Sequence, residues 1–243
     1  MGTLILLRHG RSSANTAGVL AGHSPGVALD ENGCAQADAI ARRLEPVPLA
    51  AVVCSPLQRC RETVAPLVAA RNVEPAVDDR FAEVDYGAWT GRELKKLGKE
   101  PLWKVVQSHP SAAVFPGGEG LATMQARVVA AVREWDAKLA AEHGPQVVWL
   151  ACSHGDVIKA ALADALGLHL DGFQRIVVEP CSISVVTYTE TRPFVVRMND
   201  TGGDVDALVP SKRRGRRRRA PAGLSSEAPL SSDATVGGST GIT

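Results

Sequence analysis

The chain lacks the features that mark membrane-spanning, secreted and disulfide-stabilised proteins. No apolar run approaches the roughly 20 residues needed to cross a bilayer, and no basic segment precedes the short apolar run at residues 3–7. The five cysteines are an odd number without a Cys-x-x-Cys pair, so neither a disulfide framework nor a zinc site is expected. No cluster of carboxylates indicates bound Mg²⁺ either. These absences predict a cytoplasmic protein that uses no metal or other cofactor.

The chain lacks a large excess of positive or negative charge, since its formal net charge is +1. The charged residues are, however, unevenly distributed along it. Residues 211–243 carry seven basic and two acidic side chains, whereas the rest of the chain carries 20 basic and 24 acidic ones. A mildly acidic body is not typical of a nucleic-acid-binding domain. We predict one domain over residues 1–209 and a disordered, basic, low-complexity tail over 210–243. The run at 212–219 is interpreted as either a solvated segment or a weak contact for a polyanion.

Continuous apolar runs alternate with amphipathic segments along the predicted domain. The runs at 3–7, 50–54 and 147–151 are typical of strands that are buried on both faces. Helices are predicted at 31–44, 56–70, 119–142 and 155–166, and a terminal hairpin at 182–198. This order predicts an α/β fold, a three-layer sandwich in which helices flank a mostly parallel central sheet. Residues 85–118 are predicted to form an insertion over the C-terminal edge of the strands.

Two helix starts carry capping signals. Asp30 is predicted to be the N-cap of the helix at 31–44. Ser55 is predicted to cap the next helix, with Pro56 in its first position and Gln58 completing a capping box.

Polar residues follow each of the three apolar strands. Arg8 and His9 end the first, Arg59 lies one turn into the helix after the second, and His154 and Gly155 end the third. In an open α/β sheet, ligands bind beyond the carboxyl ends of the strands, so these side chains are expected to converge. Two arginines, two imidazoles and helix N-termini are suited to an anion, and a tetrahedral phosphoryl group fits best.

The other four histidines lack such a setting. They are interpreted as surface or loop residues: His23, His109, His143 and His169. His23 is the one whose loop follows the first strand.

Six stretches of the chain occur in the order of a known family's motifs. They are Leu6-Leu7-Arg8-His9-Gly10 with Asn15, Leu29-Asp30-Glu31-Asn32-Gly33, Ser55-Pro56-Leu57-Gln58-Arg59 with Thr63, Glu83-Val84-Asp85-Tyr86-Gly87-Ala88-Trp89-Thr90-Gly91, Pro116-Gly117-Gly118-Glu119, and Val148 to Gly155. Together they resemble the histidine phosphatase superfamily, also called phosphoglycerate-mutase-like, over about residues 3–198.

The resemblance implies a role for each matching residue. His9 would be the nucleophile that becomes phosphohistidine, and Glu83 would be the general acid. A phosphate pocket would be formed by Arg8, Asn15, Arg59, His154 and Gly155. Flanking guanidiniums lower the pKa of an imidazole and keep it neutral, and burial raises the pKa of a carboxyl group, so the chemistry agrees with these roles.

Three functions stay open. The first is a metal-independent phosphomonoester hydrolase that acts on a small phosphorylated metabolite. The second is a phosphoglycerate mutase or another phosphomutase, which is less favoured because the arginine-rich, proline-rich segment of true mutases has no counterpart. The third is a protein that only binds anions or polyanions.

Overall fold

The computed structural model describes residues 1–203, so the predicted tail at 210–243 and its basic run at 212–219 lie outside the described residues. Within 1–203, six strands form one sheet in the order β3-β2-β4-β1-β5-β6. The strands are β1 (Thr3–Arg8), β2 (Leu49–Cys54), β3 (Ala76–Val77), β4 (Val148–Ser153), β5 (Ile183–Tyr188) and β6 (Pro193–Asp200). The helices are α1 (Ser13–Ala17), α2 (Glu31–Leu44), α3 (Gln58–Arg71), α4 (Leu94–Leu97), α5 (Pro101–Ser108), α6 (Leu121–His143) and α7 (Gly155–Ala165).

The sheet is parallel at its centre and antiparallel at one side. Strand β4 lies between β1 and β2 and is parallel to both, with Arg8 opposite Ser153 and Cys54 opposite Cys152. The hairpin of β5 and β6 extends the sheet antiparallel to β1. The predicted α/β fold, with its mostly parallel central sheet, is therefore confirmed.

Alternating strand residues supply two cores, one on each face of the sheet. Leu4 and Leu6 of β1 belong to the larger core, into which α6 and α7 pack. Ile5 and Leu7 face the opposite way, into a smaller core shared with α2 and α3. Both faces of the central strands are covered, which explains why these strands read as unbroken apolar runs.

The ends of the helices agree with the sequence at α2 and differ at α3. Asp30 caps α2 as predicted, because its carboxylate accepts a hydrogen bond from the Gly33 N–H at 2.8 Å. The predicted capping by Ser55 is wrong: α3 begins at Gln58, its N-cap is Leu57, and that cap has no side-chain hydrogen bond. The Ser55 hydroxyl instead faces His154, a partner from β4 that local sequence signals cannot reveal. The short strand β3 was not predicted.

The insertion at 85–118 is irregular but packed. Most of its large apolar side chains belong to the larger core, and the buried ones include Tyr86, Trp89, Leu97, Val106 and Phe115. Its backbone is tied to the loop that follows β1, because the Leu20 N–H donates to Arg92 and the Gly91 N–H donates to Leu20. This places the insertion at the carboxyl end of β1. None of the helices within 1–203 has the length and apolar character required to span a bilayer.

Candidate active site

The site lies where three parallel strands end side by side. Backbone pairing continues just beyond the strands: the His9 N–H donates to the Ser153 carbonyl, and the Ser55 N–H donates to the Cys152 carbonyl, both at 3.0 Å. Since β4 lies between β1 and β2, the residues after all three strands meet at one edge of the sheet. The structure thus brings Arg8, His9, Arg59 and His154 together, as the polar strand ends predicted.

The hydrogen bonds of His9 define which of its ring nitrogens is available. Nδ1 lies 2.7 Å from the Gly10 carbonyl oxygen, which can only accept, so Nδ1 carries the proton. Nε2 then holds a lone pair, and the Arg59 Nε–H donates to it at 3.3 Å. Burial, followed by the charges of Arg59 and Arg8, holds the pKa of His9 well below its ordinary value. The imidazole is therefore neutral at pH 7, as a nucleophile must be.

Both arginines are buried and anchored by backbone carbonyls. The Arg8 Nη1–H donates to the Val178 carbonyl at 2.7 Å, and the Arg59 Nη2–H donates to the Gly22 carbonyl at 3.0 Å. Arg8 is completely buried, and Arg59 is 2% exposed to solvent. Two guanidiniums held at the edge of a low-dielectric site provide fixed positive charge and forked donors for an anion.

The second imidazole, His154, is completely buried beside the first. The ring centroids of His9 and His154 are 5.1 Å apart. On its inner side, His154 Nε2 lies 2.8 Å from the Ser55 hydroxyl and 3.4 Å from the Cys60 sulfur. Burial, then the charge of Arg59, holds the pKa of His154 well below its ordinary value, so this ring is also neutral.

Glu83 reaches the same group from the loop after a short helical turn, Asp79–Phe81. Its Oε1 accepts a hydrogen bond from the Val84 N–H at 3.0 Å, and its Oε2 lies 3.9 Å from His154 Nδ1. That contact is not an ion pair, because His154 is neutral. Burial, with the nearby Asp156 carboxylate as the second cause, raises the pKa of Glu83 to about 7. Glu83 can therefore hold a proton near neutral pH.

Gly155 and Asn15 complete the predicted set, in different settings. Gly155 is the first residue of α7 and His154 is its N-cap, so the positive end of the helix dipole lies next to that imidazole. Asn15 is engaged in its own turn, where its Oδ1 accepts from the Ser12 N–H at 3.0 Å and from the Ser12 hydroxyl at 2.8 Å. No contact of Asn15 with the buried histidines or arginines is found within the described part of the chain.

Several neighbours of the site were not predicted. His23 was interpreted as a surface or loop residue; its side chain is exposed, yet its Nε2–H donates to the Glu83 carbonyl at 2.6 Å. The Arg127 guanidinium, on α6, donates to the same carbonyl at 3.0 Å. Neither residue lies directly at the end of a strand, and the available signal was the position of His23 in the loop after β1. Among residues 1–203, no three or more potential metal ligands gather in one place.

The fold and the site together define the class of the protein. A mostly parallel sheet with two neutral imidazoles, two buried arginines and a protonatable carboxyl group at its carboxyl edge defines an α/β protein whose site is suited to an anion such as a phosphoryl group. Residues 4–201 match the family described as the histidine phosphatase superfamily (branch 1). The chain belongs to this superfamily.

Individual relatives agree with that assignment. Phosphoserine phosphatase 1 of Hydrogenobacter thermophilus is 31% identical over 202 residues, which cover 82% of this chain and 92% of the relative. Probable phosphoglycerate mutase GpmB of Proteus mirabilis is 29% identical over 209 residues, covering 84% and 94%. The solved structure of Bacillus stearothermophilus YhfR matches with a TM-score of 0.74 and 24% identity, over 82% of this chain and 98% of that one. At that identity, the likeness to YhfR concerns the fold.

Proposed function

We propose that the protein is a metal-independent phosphomonoester hydrolase that acts on a small phosphorylated metabolite through a phosphohistidine at His9. The observation that carries the proposal is the neutral His9 ring, whose unprotonated Nε2 lies beside the buried Arg59 guanidinium. A lone pair next to fixed positive charge is suited to attack a phosphoryl group whose oxygens the arginine binds. His9 is 3% and Glu83 4% exposed, which suits a slender phosphomonoester better than a folded macromolecule.

The first half-reaction transfers the phosphoryl group to the enzyme. His9 Nε2 attacks phosphorus, the bond to the ester oxygen breaks, and Glu83 donates its proton to the departing alkoxide. Arg8, Arg59 and His154 bind the phosphoryl oxygens, and the N-terminus of α7 adds its dipole. Asn15 contributes its amide NH₂, the donor group that remains after its Oδ1 is used in the turn.

The second half-reaction releases the phosphate. A water attacks phosphorus, the Glu83 carboxylate accepts the proton of that water, and the bond between phosphorus and His9 Nε2 breaks. His9 and Glu83 return to their starting protonation states, so the cycle is balanced. No step requires a metal ion, because the guanidiniums neutralise the charge of the transferring group.

A phosphomutase is the second candidate, since the relatives include both a named phosphatase and a probable mutase. The same phosphohistidine would then return its phosphoryl group to a second hydroxyl of a substrate rather than to water. Hydrolysis is favoured because no counterpart of the arginine-rich, proline-rich segment of true mutases is found in the sequence. With 3-phosphoglycerate, free phosphate indicates hydrolysis and 2-phosphoglycerate indicates a mutase.

The proposed location is the cytoplasm. All five cysteines carry free thiols, although Cys54, Cys60 and Cys152 lie together in the smaller core. Free thiols in such proximity suit a reducing compartment.

Replacing His9 tests the mechanism. The variant His9→Ala is expected to lose turnover to below roughly a thousandth of wild type, because the group that forms the covalent intermediate is removed. Wild type, assayed in EDTA across a panel of phosphorylated metabolites, is expected to release phosphate and to form an acid-labile, base-stable phosphoryl adduct. His143→Ala is the matched control, because His143 is exposed at the far end of α6. Wild-type turnover by His9→Ala would contradict the proposal.

A further inference from the structure

Glu83 lies in a loop, so no strand or long helix determines where its carboxyl group points. Its backbone carbonyl is nevertheless held by two donors from distant parts of the chain. Arg127 Nη2–H donates to it from α6 at 3.0 Å, and His23 Nε2–H donates from the loop after β1 at 2.6 Å. The placement of this loop is therefore determined by tertiary contacts.

Arg127 joins three points of the structure with one guanidinium. Its Nε and Nη2 form a forked pair with the carboxylate of Glu119, at 3.1 Å and 2.6 Å. Its Nη1–H donates to the Arg80 carbonyl at 2.7 Å, three residues before Glu83. One side chain thus holds the loop at 80 and at 83 while it is itself fixed by Glu119.

Glu119 fixes the other side of the loop. Its Oε1 also accepts from the Asp85 N–H at 3.0 Å, and its own N–H donates to the Asp85 carbonyl at 2.9 Å. The side chains of Arg127 and Glu119 are mostly buried, at 21% and 17% exposed, so water competes weakly for these bonds.

We propose that Arg127 and Glu119 are positioning residues that hold Glu83 in place for proton transfer to the leaving group. This inference rests on the proposed function. The two side chains touch the loop backbone and each other, not the reacting atoms. Proton transfer requires the acid within hydrogen-bond reach of the leaving oxygen, so a displacement of about 1 Å weakens it strongly.

The test compares two leaving groups in the variant Arg127→Lys. Lysine keeps the charge but cannot span Glu119 and two carbonyls, because its ammonium lacks the planar fork. Rapid-quench measurement of His9 phosphorylation is expected to show about a tenfold slowing for an alkyl phosphate, whose leaving alcohol needs the proton. For p-nitrophenyl phosphate, whose phenolate leaves unaided, the slowing is expected to be less than about threefold. Glu119→Gln is expected to show the same selective loss and serves if Arg127→Lys folds poorly.

Arg133→Lys is the matched control, since Arg133 is an exposed arginine of the same helix that pairs with Asp164. It is expected to leave both rates unchanged. Equal slowing of both substrates in Arg127→Lys and Glu119→Gln, or no slowing in either variant, would overturn the positioning role while leaving the proposed function intact. If wild type itself forms no phosphohistidine with any substrate of the panel, the proposed function fails, and this inference fails with it.

Discussion

At the scale of single residues, burial decides the protonation of the site. The flanking arginines were expected to lower the pKa of the His9 imidazole, and they do, but burial is the larger cause. The same burial acts in the opposite direction on a carboxyl group and raises the pKa of Glu83. Desolvation disfavours whichever form is charged, so one dry site produces a neutral base and a neutral acid side by side.

A pH profile tests the acid. Glu83 is protonated below its pKa of about 7, so kcat/KM for an alkyl phosphate is expected to fall as pH rises through about 7. In Glu83→Gln that alkaline fall should be absent, and kcat/KM at pH 6 should be roughly 10²-fold lower. The parameter kcat/KM reports steps up to the departure of the alcohol, so phosphohistidine hydrolysis does not affect it. An unchanged alkaline fall in Glu83→Gln would show that another group, with Asp85 the next candidate, supplies the proton.

At the scale of elements, the loop after β1 packs directly on the start of α2. A Cβ at Gly33 would lie 2.0 Å from the Arg11 carbonyl oxygen, and one at Gly10 would lie 2.8 Å from the Gly33 carbonyl oxygen. Both positions therefore require glycine for close approach of the two backbones. The Thr63 hydroxyl, from α3, accepts the Gly10 N–H at 2.9 Å and ties the same loop to a second helix. The backbone around His9 is thus held by two helices as well as by the sheet.

This packing predicts the effect of adding one methyl group. Gly33→Ala is expected to lower the free energy of unfolding by about 2 kcal/mol, because a rigid backbone contact must move. It should also slow turnover, since Arg11 is two residues from His9. Gly98→Ala is the control: that glycine is exposed, has a helical φ of −58°, and a Cβ there would be no closer than 3.6 Å to its neighbours. Urea denaturation of both variants checks the difference, and equal stabilities would contradict the close packing.

At the scale of the whole molecule, the sheet and the site lie within the described residues. The family match ends at 201, and the last strand, β6, ends at Asp200. Arg43 on α2 donates a hydrogen bond to the Asp200 carboxylate at 2.7 Å, and this bond links the end of β6 to α2. All six strands of the described sheet and all the candidate site residues therefore lie before residue 201.

Truncation after Val209 tests the predicted boundary between the domain at 1–209 and the tail at 210–243. The shortened chain is expected to keep wild-type kcat/KM and an unfolding midpoint within about 2 °C, because it retains every described strand and every candidate site residue. If the run at 212–219 contacts polyanions, the truncation should abolish salt-sensitive binding of full-length protein to a DNA or RNA oligonucleotide. Loss of folding in the shortened chain would place the domain boundary further along.

The sequence by itself determined that polar residues follow three apolar strands, and from this it predicted that His9, Arg59 and His154 meet. The carboxyl ends of neighbouring parallel strands lie at the same edge of a sheet. Residues that follow such strands can therefore be predicted to lie close together even when they are far apart in the chain. Only the tertiary structure decided that Ser55 faces an imidazole rather than capping a helix, and that Arg127 holds the Glu83 loop. Each of these contacts joins a loop residue to an element that is distant in the chain. The direction of a side chain in a loop follows no periodic sequence pattern, so the contacts could not be predicted. The physical reason is that the hydrophobic periodicity of a strand or helix depends on residues close together in the sequence. The desolvation and hydrogen bonding of Glu83 depend on distant residues that surround it only in the folded chain.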